Sequence, residues 1–211
     1  MNGDSIVDRT STITTTRAAG PPPPLAIAAL LQVLIALLFL VVPLIGALFG
    51  SDVQAAAEAA AEAQGVPAGA LADVGVRFDE GGVATDSPVA VALIVAALAA
   101  LNFGRRRIGR VLSLVIHPLL LVLDLVILVS QASAAKTLEA AFRASSHPEL
   151  HTASAQAILD AAEQAYPAWV PALTILRVAL APLCSLLVIA LLARPSARIY
   201  FRAGNRKGAN R

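Results

Sequence analysis

The stretch HPLLLVLDLVILVS, residues 117–130, sets an aspartate, Asp124, among side chains that otherwise suit a lipid-facing helix. An ionisable group near the middle of a bilayer costs about 2.5 to 3.5 kcal/mol on insertion scales, so it is expected to face a partner or a polar path. One partner is on offer, Arg177, which stands in the apolar run 168–193. At about 1.5 Å per helical residue, Asp124 lies roughly 21 Å above Arg110 and Arg177 roughly 25 Å above Arg194, within one turn in depth. An intramembrane ion pair between Asp124 and Arg177 relieves both charges and locks two helices together. The competing reading is a proton relay, since intramembrane ionisable residues mark pathways; a guanidinium that keeps its proton speaks against it.

A second polar layer is predicted below the pair. His117 precedes Asp124 by seven residues and Cys184 follows Arg177 by seven, which places both about two turns nearer the flanking arginines. Ser185 adjoins Cys184, and Gln32 of the first apolar run falls at comparable depth, so His117, Cys184, Ser185 and Gln32 form a polar seam. Imidazole and thiolate are good metal ligands and proton carriers. With one histidine and one cysteine in the apolar runs, the reading favoured is a hydrogen-bonded core histidine beside Pro118. No metal is expected. Outside the runs, HPELH spaces His147 and His151 four apart, but the proline and the want of a third ligand favour a solvated loop. No GxSxG, HExxH, phosphate-binding or dinucleotide motif occurs, and Ser113 with His117, four apart, is the one local nucleophile–base combination. The expectation is a non-enzymatic protein without a cofactor.

The elements that must position these residues follow from composition. Of 211 residues, 57% are hydrophobic and 14% charged, too apolar a balance for an ordinary soluble domain. The chain reads as an all-α membrane protein with four transmembrane helices in two hairpins. The spans are about 25–50, 88–103, 111–130 and 168–193, each matched to a hydrocarbon core about 30 Å thick, the second with help from Thr85 and Ser87. The first run is too long for a signal-peptide core. Short Ala-rich helices, in VQAAAEAAAEAQ and SAAKTLEAAFRAS, are expected in the outer loops 51–87 and 131–167 as projecting hairpins, and their similar order hints at two repeats.

Charge sets the orientation. Arg105, Arg106, Arg107 and Arg110 crowd the short second connection, and Arg194, Arg198, Arg202 and Arg206 run four apart into the tail 194–211. Loop 51–87 carries seven acidic residues against Arg77 alone. The positive-inside rule then puts both termini in the cytoplasm, and an Ala-, Gly-, Pro- and Arg-rich chain suggests a bacterial inner membrane. The eight arginines are expected to contact anionic lipid headgroups, each cation contributing about 1 kcal/mol near the surface. Nucleic acid is not expected as a partner, for want of a reading surface. The tail 1–24, Thr-rich and ending in four prolines, is expected to be disordered.

Ala92, Ala96, Ala100 and Gly104 offer one smooth helix face, and Gly46 with Gly50 forms GxxxG. Packing within the chain is preferred to a homodimer as their use. The functional expectation is an accessory or scaffold protein that meets membrane-protein partners and anionic lipid. The alternative is a small transporter or channel component using Asp124, Arg177 and His117. A solvated cavity reaching the seam marks the transporter; a dry seam marks the scaffold.

Overall fold

The computed structural model describes residues 23–78, 83–104 and 106–195, with side chains at 83 and 84 outside that set. It is all-helical: α1 (Pro23–Glu62), α2 (Ala70–Asp73), α3 (Val83–Phe103), α4 (Arg107–Ala132), α5 (Ala134–Ala144), a 3-10 turn (Pro148–Thr152), α6 (Ala155–Gln164) and α7 (Trp169–Ala193). Four of these, α1, α3, α4 and α7, are long and apolar enough to cross a membrane. The expected tail 1–24 gives way to helix at Pro23, a residue type tolerated in a first helical turn because its missing amide has no partner there. The rest of that tail, and the arginine stripe at 198, 202 and 206 with Arg105, lies outside the described residues.

Two cores share α1. In the bundle, Leu25, Ala28, Ile35, Ala36 and Phe39 of α1 pack with Ala92 and Val95 of α3, Leu120 of α4, and Cys184, Val188 and Leu192 of α7. The buried positions of α1 recur every three or four residues, the stripe an α-helix needs to face one neighbour. Helix α1 is in contact with α3 and α7, and α4 with the same two. Large apolar side chains on the other faces, among them Leu30, Leu93, Leu125 and Ile175, stay exposed.

The second core is the cap. Here α1 continues without a break past Gly50, and Val53, Ala57 and Ala61 meet Leu71, Leu138, Phe142, Leu150 and Ile158. The outer segments therefore do not project as separate hairpins. Each has an apolar stripe too short to bury alone, and the α1 extension is the surface on which both close. Two glutamines of α1 fasten the loops: Gln54 Oε1 accepts from the Phe78 amide at 2.7 Å and Gln64 Oε1 from the Ser154 amide at 2.6 Å. Helix α1 stops where Gly65, with φ of +83°, turns the chain so that the Val66 amide reaches back to the Ala61 carbonyl at 3.1 Å.

The halves of the chain are not copies. Helix α4 breaks at Ser133, whose hydroxyl donates to the Val129 and Ser130 carbonyls at 3.0 and 3.2 Å and competes with the continuing helix, whereas α1 runs on through Ser51 to Glu62. The face of α3 that packs is also not the one expected. Ala92, Val95, Ala99 and Asn102 are buried, while Ala96, Ala100 and Gly104 are exposed. A strict four-residue repeat drifts around a 3.6-residue helix, and alternating steps of three and four hold one face. Gly46 of the GxxxG has no neighbour within 4 Å of a Cβ built on it, so it is not a close-packing position.

Candidate functional site

Polar side chains from all four long helices meet at the arginine-bearing end of the bundle. Gln32 of α1 is the hub: its Nε2 donates to Ser113 Oγ at 2.9 Å and lies 3.1 Å from His117 Nε2, while its Oε1 accepts from Asn102 Nδ2 at 2.9 Å. Asn102 Nδ2 also donates to Ser113 Oγ at 2.9 Å, and His117 Nδ1 stands 3.4 Å from Ser185 Oγ. Because the Gln32 amide nitrogen can only donate, His117 Nε2 is the acceptor. Its hydrogen is on Nδ1, toward Ser185. Gln32, Asn102, Ser113, His117 and Ser185 are all at most 2% exposed, so this node is dry.

Sequence reasoning placed Gln32, His117 and Ser185 at one depth, and the fold brings them together. Cys184 is buried but turns into the apolar core instead. Asn102 was missed. Its signal was an amide at the end of the apolar run 88–103, three residues before Arg105 and across a short turn from Gly109. A Cβ at Gly109 would come within 2.7 Å of Leu101 Cβ and 3.0 Å of Asn102 Oδ1, so only glycine lets α3 and α4 cross this closely. Arg110 donates from Nε to the Leu192 carbonyl at 2.8 Å and so serves the α7 C-terminus, where a cation suits the helix dipole. Arg106, Arg107 and Arg194 are exposed at the same end.

Above the node the helices part. The buried stripe of α1 lapses between Phe39 and Gly50, that of α4 ends at Leu120, and α7 has none between Val170 and Arg177. These gaps coincide in level and enclose a cleft of about 1050 Å³. Its walls include Phe39, Val42, Val91, Leu123, Ile127 and Ile175, with Arg177 among them. Toward the cap it is bordered by Arg77, Gln131, Glu163 and Tyr166. Burial raises the Tyr166 hydroxyl above its ordinary pKa.

Asp124 and Arg177 do not make the expected salt bridge. Among the described residues Arg143 pairs with Glu139 at 3.4 Å, and His147 Nε2 stands 3.4 Å from Asp73 Oδ2, both in the cap. Arg177 is 6% exposed and its guanidinium lies 4.9 Å from the centre of the Phe39 ring, a cation–π contact. Its Nε and Asp124 Oδ2 are buried without a hydrogen-bond partner. The two charges still attract each other through space. Depth counting set them level, but it takes no account of rotation about the helix axis, and the guanidinium lies against the Phe39 ring instead.

The histidines of HPELH diverge, His147 toward Asp73 and His151 Nε2 to within 3.1 Å of the Ser145 carbonyl. Among the described residues no group of three or more metal-ligating side chains gathers. No family model, curated protein or solved structure matches the chain.

Proposed function

We propose that the chain is a non-enzymatic accessory or scaffold protein of a bacterial inner membrane, crossing it four times as two hairpins, with both termini cytoplasmic and the cap outside. The observation that carries this reading is the unbroken α1, which builds the bundle core with its first half and the cap core with its second. A cap fixed to its bundle by one helix is a surface held at a set height above the bilayer, as a scaffold requires. The dry node supports it further. A hydrogen-bonded polar cluster within a bundle fixes helix register, since each alternative register leaves a buried amide unpaired.

The arginines at 106, 107 and 194, exposed at one end, fit anionic headgroups on the cytoplasmic face. Partners in this reading are membrane proteins that meet the cap, with homodimerisation a special case. A small transporter component is the second reading, favoured by the cleft that reaches Arg177. It requires a wet path past the node.

The native Cys184, next to Ser185, separates the two. In the scaffold it stays unreactive toward a small water-soluble thiol reagent in the folded protein and reacts after denaturation. Photo-crosslinkers at exposed cap positions such as Ala59 should then yield discrete adducts with membrane proteins in intact cells. Rapid labelling of Cys184, with no cap adduct, overturns the scaffold in favour of the transporter.

A further inference from the structure

The cleft has features that a packing defect does not require. Its walls are apolar on all four long helices; Arg177 stands among them more than nine-tenths buried, while a second cation, Arg77, borders the cleft only at the cap end beside Glu163. Among the described residues the guanidinium makes no hydrogen bond or salt bridge, and it lies against the Phe39 ring. Five N–H donors held in an apolar setting favour a planar anion that accepts them in a fork. Asp124, nearby and also lacking a partner at Oδ2, limits how much negative charge the site accepts. One monoanion fits; a multiply charged headgroup meets repulsion.

Depth narrows the class. Arg177 is eight residues into α7 from Trp169, about 12 Å along the helix. A phospholipid keeps its charged group at the surface, so an anion at that depth must sit at the tip of a slender molecule. The volume, about 1050 Å³, is just above the ~300–1,000 Å³ typical of small-molecule sites. Between α3 and α4 the walls are Val91, Leu123 and Ile127, which suit a hydrocarbon chain leaving toward lipid.

We propose that the cleft binds a single-chain carboxylic amphiphile of the fatty-acid class, its carboxylate on Arg177 and its chain passing between α3 and α4. This rests on the reading that the bundle lies in a bilayer, and the test keeps the two apart.

Trp169 is the sole tryptophan and begins α7 at the head of the cleft, edge-on to Phe49 at 5.9 Å. The full chain is reconstituted in neutral bilayers and its fluorescence followed while a fatty acid brominated at mid-chain is added. Expected is quenching with a saturable component, weakened tenfold or more in apparent affinity for the matching brominated alcohol and for Arg177→Gln. Should Arg177→Gln fail to fold, Gly46→Leu serves: Gly46 borders the cleft and has open space at its Cβ, so leucine intrudes into the cleft, favours the helix and weakens the saturable component. Equal, non-saturable quenching by acid and alcohol, or a Gly46→Leu protein that binds as the wild type does, overturns the site. Quenching of Trp169 by brominated phosphatidylcholine reports insertion on its own, so its absence counts against the membrane reading instead.

Discussion

Replacing Gln32 by leucine tests the node where its connections are densest. The change keeps side-chain size but removes hydrogen bonds to Ser113, His117 and Asn102. Interhelical hydrogen bonds in a membrane average about 0.6 kcal/mol each, so three are worth about 2 kcal/mol, roughly a thirtyfold change in the folding equilibrium. Asn102→Leu removes two bonds, one of them the bond to Gln32, and frees the protein of the unpaired Asn102 Oδ1. Its cost should be about 1 kcal/mol. Since the shared bond is lost only once, the double variant should fall short of the sum by about 0.6 kcal/mol. Reversible unfolding in mixed micelles, with helix content as readout, measures all four proteins. A loss below about 0.5 kcal/mol for Gln32→Leu, or strict additivity with Asn102→Leu, refutes the claim that these amides tie the helices together.

Further expectations follow from single positions. Gly109→Ala should destabilise by about 1 to 3 kcal/mol, because its Cβ meets Leu101, while Gly46→Ala should stabilise by up to about 1 kcal/mol because its Cβ meets nothing; the same unfolding assay ranks them. Asp124→Asn and Arg177→Gln should couple weakly, at about 0.5 kcal/mol or less, since contacting residues couple by about 0.5 to 3 kcal/mol and these two make no bridge. A coupling of several kcal/mol in a double-mutant cycle restores the closed pair. Tyr166 makes an alkaline prediction: a hydroxyl with its pKa raised in the fold contributes stability that is present below the ordinary value of 10.0 and is lost as pH rises through the raised value. Tyr166→Phe should remove that part of the alkaline loss in a thermal-stability profile, and an unchanged profile counts against its burial.

Much of this architecture was legible because length and apolar composition follow simple rules. Four apolar runs of sufficient length give the four long helices, and the acidic and basic segments between them divide the ends. The Gln32, His117 and Ser185 layer was readable by counting rise alone. Rotation was not: Asp124 and Arg177 are level yet do not bridge, and the small-residue face of α3 points away from α1. Those outcomes depend on how each helix is rotated about its axis and on alternating steps of three and four around it. The merging of both outer segments on α1 was hidden for a related reason. Alanine-rich sequence specifies helix but says little about partners, and Gln54 and Gln64, which hold the loops, look like ordinary surface residues. The cleft could be found only as an absence, the coincident lapse of buried positions on three helices.

In the proposed topology the bundle spans a membrane with the cap outside and the arginine end within. In a Cys184→Ser background, cysteines at the exposed positions Ala59 and Arg107 are treated in intact cells with a membrane-impermeant thiol reagent. Position 59 should be labelled at once and position 107 only after permeabilisation. Labelling at 107 with protection at 59 inverts the protein, and labelling of both in intact cells contradicts the claim that a membrane separates them.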